Sequence, residues 1–322
     1  MTASSLTMPP IALMGEERIN LGVQCRDCDV VPKVQDAGRI IEDRHGRRFQ
    51  LMHNGLKVVA DGYYGAVISE LIRRSRGHHE GQEERIFHEV VSRLPSTGAM
   101  MELGGHWSYY SLWFLKGGSD RRAVVLEPEP RHRAIGEANA ALNDLHPLFF
   151  SGFASGAHRD QATFVTEESG AVEMTGYTVS SLMAASGLDH LSILHCDIQG
   201  AETDVLESLR DLFRQGRIDW VFVSTHAHHI SGDPLTHERC LQILREEGAV
   251  IEAEHDAYES FSGDGLIVAR FGRPPTGWKP VNLSRCRTNK ALFRSLAYDL
   301  AEAHQEIERL RSEASARPPI VA

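Results

Sequence analysis

The feature that most constrains how this chain can fold is the passage from an apolar run, residues 99–103, through Glu102-Leu103-Gly104-Gly105-His106-Trp107-Ser108 into a helix-like segment beginning at Tyr109. Strand, tight glycine turn and helix, in that order, make the unit with which α/β proteins hold an adenosine, because glycine permits backbone angles and a closeness of ligand that a Cβ forbids. Two further apolar runs end in a carboxylate. Ala123-Val124-Val125-Leu126 closes on Glu127-Pro128, about 20 to 25 residues beyond the turn, where an acidic side chain can accept both ribose hydroxyls. Leu191-Ser192-Ile193-Leu194-His195-Cys196 closes on Asp197. Ligands of open α/β sheets bind beyond the carboxyl ends of the strands, so Glu102, Glu127 and Asp197 are expected to share one rim around a single adenosyl group.

From residue 98 to 270 strand-like and helix-like segments alternate, the pattern of a mainly parallel sheet covered on both faces. Strands are predicted near 99–103, 122–127, 147–153, 191–197, 218–225, 249–254 and 264–270. The last two have no helix between them and are expected to pair as a hairpin, which reverses the final strand. Ahead of this region, residues 1–20 read as a loosely ordered terminus. Short β-type runs then surround the turn signals His45-Gly46 and Asn54-Gly55, and residues 66–94 turn helical. After Phe271 a Gly/Pro-rich linker leads to a helix predicted over about 288–315. On it Phe293, Leu296, Leu300, Ala303, Ile307 and Leu310 form one stripe, suited either to self-association or to docking on the protein's own core. Three parts follow: an N-terminal extension and cap (1–95), a cofactor-binding domain (96–271), and a linker with an amphipathic helix (272–322).

These motifs, with Asn139, Asn143, Thr178-Val179-Ser180-Ser181-Leu182 and Cys196-Asp197-Ile198-Gln199-Gly200-Ala201-Glu202, resemble in order and spacing the FkbM-type S-adenosylmethionine-dependent methyltransferases over about residues 80–270. The first motif of that family is usually Asp-x-Gly-Ala-Asn-x-Gly, so Glu102, Gly105, His106 and Ser108 depart from it. Gln199 departs from the usual Asp-Val-Glu-Gly-Ala-Glu, and Ser224 from a Glu-x-His that His226 keeps. The resemblance implies a class I methyltransferase-like (Rossmann-like) fold and an O-methyltransferase acting on a hydroxyl of a sugar, glycan or secondary metabolite. It also implies a cofactor site of Glu102, Gly104, Gly105, His106, Ser108, Tyr109, Glu127, Pro128 and Asp197, with Tyr109 or Tyr110 walling the adenosine. Asp197 would stand beside the reactive methyl, and His226, at the end of the neighbouring strand, would take the hydroxyl proton. Glu202 is expected to answer a helix dipole, and His228 and His229 to be exposed loop residues.

Catechol-type enzymes place a divalent ion at the ends of these same strands, but here only Asp197 supplies a hard oxygen ligand, so no obligatory metal is expected. His255, Asp256 and Asp264 read equally as acceptor-pocket or loop residues, and His78, His79, Glu80 and Glu83 as a lid over the cofactor or, more simply, a solvated helix end. Cys25 and Cys28 form a Cys-x-x-Cys without a matching second pair nearby. The expectation is two reduced thiols, in keeping with five cysteines in all.

A rival reading is a catalytically weak methyltransferase-like protein that serves as an assembly partner through its C-terminal helix. A nicotinamide oxidoreductase is disfavoured by the missing third glycine and by the terminal hairpin. The formal net charge of −10 argues against nucleic acid and anionic membrane as general partners. No stretch reaches the roughly 20 apolar residues of a membrane span, and residues 1–20 lack a secretory pattern, so a cytoplasmic location is expected.

Overall fold

In a strand buried on both faces, alternate side chains must satisfy two different layers, and the central runs of this chain do so. Met101, Leu194, Val221 and Val223 enter one core cluster and Met100, Ile193, Trp220 and Phe222 the other. The computed structural model of the chain describes residues 15–287, 291–293 and 296–316.

Helix α1 (Gly15–Gly22) precedes a three-stranded antiparallel meander of β1 (Ile40–Glu42), β2 (Arg48–Leu51) and β3 (Lys57–Val59), followed by α2 (Gly65–Arg74) and α3 (Gly81–Val91). The α/β region runs β4 (Thr97–Leu103), α4 (Tyr109–Lys116), β5 (Asp120–Glu127), α5 (Pro130–Asn143) and β6 (Leu148–Ser151). A small sheet follows, of β7 (Phe153–Ala154), β8 (Arg159–Thr166) and β9 (Gly170–Tyr177), and then α6 (Val179–Ser186) and β10 (Leu191–Cys196). Next come α7 (Glu202–Ser208), α8 (Arg210–Arg214), β11 (Ile218–Thr225), α9 (His228–Ser231), α10 (Thr236–Glu246), β12 (Val250–His255) and β13 (Gly265–Arg270), and finally α11 (Leu296–Ala316). The main sheet has the order β12-β13-β11-β10-β4-β5-β6. Strands β4, β5, β6, β10 and β11 are mutually parallel, and β13 runs antiparallel to both β11 and β12. The expected terminal hairpin and reversed strand are therefore present.

One face of this sheet is covered by α6, α7, α8 and α10. The other is covered by α4 together with α2, α3 and the meander, through Ile68, Leu71, Ile72, Ile86, Phe87, Met52, Leu56 and Val58. The N-terminal segment thus supplies much of a whole layer. Asn139 ties it down from α5, accepting from the Val59 amide at 2.7 Å and donating to the Trp107 carbonyl at 3.0 Å.

Several expectations are corrected. Residues 15–22 are helical, with Arg18, Ile19 and Leu21 buried, because an apolar edge there packs against α2; residues 1–14 lie outside the described residues. The region 66–94 is two helices broken at residues 75–80, where Arg76 and Gly77 take positive φ. The β8–β9 hairpin was not anticipated. The C-terminal helix begins at Leu296 rather than near 288: residues 291–293 are non-helical and Phe293 is buried against Ala227 and Ala257. Residues 288–290 and 294–295 lie outside the described residues. Leu300, Ile307 and Leu310 on α11 are exposed, so in this chain they do not dock on the core. Among the described residues no helix is long and apolar enough to cross a membrane.

Arg121 fastens the layer as well. Its buried guanidinium donates to four carbonyls, those of Pro95, Phe114, Val91 and Leu94, at 2.9–3.1 Å, closing the ends of α3 and α4 onto β5. Arg121→Ala is expected to cost about 3 kcal/mol, because it strands these buried acceptors. Arg121→Lys is expected to restore little of that, lacking the planar fork. A urea unfolding midpoint unchanged in Arg121→Ala would refute this role.

Candidate functional site

Beyond the carboxyl ends of β4, β5 and β10 lies a cavity of about 390 Å³, a volume suited to a nucleotide-sized ligand. The amides of Gly104 and Gly105 both donate to the Leu126 carbonyl at 3.0 Å, and the Asp197 amide donates to the Leu103 carbonyl at 3.0 Å, so the three strand ends are tied together. Gly104 has φ +74, and a Cβ there would stand 1.7 Å from the Asp197 carbonyl oxygen; one on Gly105 would stand 2.2 Å from Val125 Cγ1. The turn therefore admits only glycine at these two positions.

Of the residues expected at the cofactor, Gly104, His106, Glu127, Pro128 and Asp197 line this cavity. Glu127 accepts from the His106 amide at 2.7 Å and the Glu129 amide at 2.8 Å, which fixes its carboxylate and leaves lone pairs for two hydroxyls. Burial pushes its pKa up to about 7 against those two donors. Glu102, Ser108 and Tyr109 do not line the cavity. The Glu102 carboxylate turns back to accept from the Ser111 amide at 3.0 Å, Ser108 is fully buried, and Tyr109 packs in the core with its hydroxyl 3.4 Å from Glu84. Gly105 acts by letting the turn close. Tyr110, too, faces inward, stacked on His195 with its hydroxyl donating to Glu80 at 3.1 Å. Only Glu127 and Asp197 of the three expected carboxylates thus meet at the cavity, with Glu102 beneath.

The aromatic wall comes from elsewhere. Tyr63 and Tyr64, in the turn between β3 and α2, line the cavity, and His106 stacks on His132 at 3.6 Å beside them. A pair of tyrosines flanked by glycines (Gly62, Gly65) was the available signal. The β8–β9 hairpin adds Phe164, Val165, Thr166 and Glu167 to the lining, and the Tyr64 hydroxyl donates to Glu167 at 3.2 Å. Glu129 anchors the turn of that hairpin by accepting from the Ser169 amide (2.9 Å) and hydroxyl (2.6 Å) and the Glu168 amide (3.0 Å). Against the opposing effect of burial these donors hold Glu129 at about 2. Ser108, at a position where the family pattern has glycine, and His106 take positive φ of 63° and 39°, a strain of order 1–3 kcal/mol each.

Beside the cavity, the His226 ring hangs between carboxylates: Nδ1 lies 2.9 Å from Glu202, and Nε2 lies 3.1 Å from Asp197 and 3.6 Å from Asp264. Burial opposes its protonation, but Glu202, then Asp197 and Asp264, raise its pKa well above the ordinary value. Glu202 is fully buried and also accepts from the Gly200 amide at 2.9 Å; its expected helix-terminal role is therefore joined by a hold on His226 that spacing did not reveal. Burial, with Asp197 adding and His226 opposing, pushes Asp264 up to about 7. The segment 78–84, expected to be solvated, is buried: Glu83 reaches His195 on β10 at 2.6 Å, and Glu80 lies 3.2 Å from His79. His228 and His229 form part of α9, half-buried, the first 3.3 Å from the Tyr258 hydroxyl and the second packed on Phe293. Asp256 caps a short turn by accepting from the Tyr258 amide, and His255 is buried.

Gly104→Ala is expected to destabilise the fold by about 2–3 kcal/mol and to displace Asp197, since backbone cannot yield as a side-chain tip can. A variant of native stability that still binds S-adenosylhomocysteine as tightly would show that this turn is not part of the site.

An S-adenosyl cofactor fits what is present: the cavity at the strand ends is of nucleotide size, and the Glu127 carboxylate, oriented by two amides, offers acceptors for a ribose. No curated protein matches the sequence. Solved structures with a similar course include the O-methyltransferase from Bacillus cereus in complex with S-adenosylhomocysteine (14% identity, 58% of this chain and 80% of that one, TM-score 0.40). M. capricolum TrmK bound to S-adenosyl-homocysteine matches at 12% identity over 73% and 88% of the two chains (TM-score 0.36). At these scores the likenesses carry no weight on function. The sequence profile described as "Methyltransferase FkbM domain", however, matches residues 91–251, half of the chain. The protein belongs to the FkbM methyltransferase family and is an S-adenosylmethionine-dependent methyltransferase.

Proposed function

We propose that the protein methylates a hydroxyl oxygen of a sugar, glycan or secondary metabolite, with His226 as the proton acceptor. The observation that carries this reading is the His226 ring held at Nδ1 by Glu202 and presented at Nε2 to Asp197, at the neighbouring ends of β10 and β11. Bound cofactor supplies a methyl group on a positively charged sulfur. Glu127 and the Gly104 turn hold the adenosyl portion between the Tyr63–Tyr64 wall and the hairpin, which exclude water. Glu202 holds Nδ1, and Nε2, which rests 3.1 Å from Asp197, takes the acceptor's proton once the acceptor hydroxyl displaces that contact. Asp197 and Glu167 offer acceptor oxygens in the cavity that Tyr63 and Tyr64 line, a surface complementary to a polyol. One oxygen of Asp197 is taken by His226, and Glu202 is taken by His226 and the Gly200 amide, which favours transfer without a metal.

The sign of the pH dependence follows from His226. Its raised pKa keeps the ring protonated near neutrality, and only the neutral ring can accept, so turnover is expected to climb as pH rises above 7. His226→Ala is expected to lower kcat by about 10²–10⁴-fold and to flatten that climb, while S-adenosylhomocysteine affinity is kept. Methyl transfer measured by mass spectrometry on polyol acceptors and their deoxy or methoxy analogues tests the substrate class. Equal transfer to analogues lacking the hydroxyl, or unchanged turnover in His226→Ala, would overturn the reading.

The exposed Leu300, Ile307 and Leu310 on α11 favour a second reading alongside the first, self-association of two copies through that helix. Sedimentation should then show a dimer that Leu300→Glu with Ile307→Glu dissociates; a wild-type monomer would refute it.

A further inference from the structure

The Cys-x-x-Cys that spacing alone left without a role is completed by the fold. Cys28 lies in a single 3₁₀ turn, Asp27–Val30, that packs on the start of α3. There its thiol meets His78 and Glu84, which lie 50 and 56 residues further along the chain. One ligand atom from each of Cys28, His78 and Glu84 lies within 4.8 Å of the others, and all three residues are buried. Cys25, one turn earlier, faces the same cavity of about 240 Å³ as Cys28 and His78. Gly81 makes the approach feasible: Cys28 Sγ sits 3.1 Å from its carbonyl, and a Cβ on it would stand 2.9 Å from Cys25 Sγ.

Ordinary core packing explains two thiols, which pack as small apolar groups. It does not explain the imidazoles. His78 places Nδ1 2.6 Å from Glu84 Oε2, but its Nε2 is buried without a hydrogen-bond partner; the same is true of Nε2 of His53, whose ring stacks on His78 at 4.2 Å. A buried ring nitrogen without a partner is costly and calls for one. Sulfur, imidazole and carboxylate donors together select a borderline-soft divalent cation.

We propose that Cys25, Cys28, His78 and Glu84 bind one divalent cation of the zinc class. On binding, the two thiols release their protons to solvent and both sulfurs become thiolate ligands. The Lys33 ammonium, 3.0 Å from the Val31 carbonyl and bonded also to that of Cys28, offsets the surplus negative charge of two thiolates and a carboxylate. The ion would pin the Asp27–Val30 turn to the loop 75–80, which carries His79 against Tyr63 and Trp107 at the cavity wall. It is a structural site, apart from the methyl-transfer rim.

The test uses the full chain, stripped with a chelator and titrated with Co²⁺, then with Zn²⁺. The expected result is one equivalent of cobalt with a thiolate-to-cobalt charge-transfer band, displaced by zinc, and lost in Cys25→Ser with Cys28→Ser but kept in Cys240→Ser. In the wild-type chain, where folding is not in question, Zn²⁺ should slow alkylation of Cys25 and Cys28, located by peptide mass. A cobalt spectrum without the thiolate band, or alkylation rates that zinc leaves unchanged, overturns the proposal.

Discussion

The arrangement of this molecule depends on a buried imidazole in the middle of its sheet. His195 occupies β10, every residue of which is buried, and a polar ring there is tolerated only if it is paired. Glu83 supplies the partner at 2.6 Å and, against the effect of burial, holds His195 protonated up to about 9, helped by Glu102 and Asp197. A carboxylate on α3 must therefore lie over the centre of the sheet. Once it does, the residues just before it are committed too: Glu84 accepts from the amides of His79 and Glu80 at 2.8 and 3.1 Å, and Glu80 from the Tyr110 hydroxyl. The pairing that neutralises one buried ring thus sets the position of a whole polar loop beside the site.

The same logic runs at the carboxyl ends of the strands. The Gly104 and Gly105 amides consume the Leu126 carbonyl, and the Asp197 amide consumes that of Leu103. Glu127 and Asp197 arrive at one cavity because three strand ends are hydrogen-bonded into a single rim. His226 is then confined from both ring nitrogens, by Glu202 and by Asp197. A ring so confined has one orientation, with each nitrogen committed to a carboxylate.

Much of this was legible in the residues. The seven strand segments expected for the main sheet are all present, and the reversed β13 followed from the missing helix between it and β12. Periodicity works where burial on both faces imposes a continuous apolar run. It failed for β8 and β9, whose exposed positions outnumber their buried ones and leave little apolar contrast. The site was read in part: Gly104, Glu127 and Asp197 stand at strand ends, which spacing can count. Glu102 was misread because a carboxylate at a strand terminus can equally fold back onto the helix amide of Ser111. Glu83 and Glu202 were missed as partners of His195, Ser224 and His226 because those contacts span 24 to 141 residues, beyond any local pattern, and Tyr63 and Tyr64 because they meet His106 more than 40 residues on. The solvated reading of 78–84 failed for the same reason, since the groups that satisfy those charges include one on β10.

The layer that residues 52–91 contribute beneath the sheet has a consequence for how modules of this kind can be exchanged. The stretch matched by the family profile begins at residue 91, yet Met100, Ile193, Phe222 and Val268 share their core with Ile68, Leu71, Ile86 and Phe87. A graft cut at the profile's edge would expose that apolar underside to water and forfeit cooperative unfolding. The heritable segment recognised by comparison is narrower than the unit that must be transplanted to keep the enzyme whole.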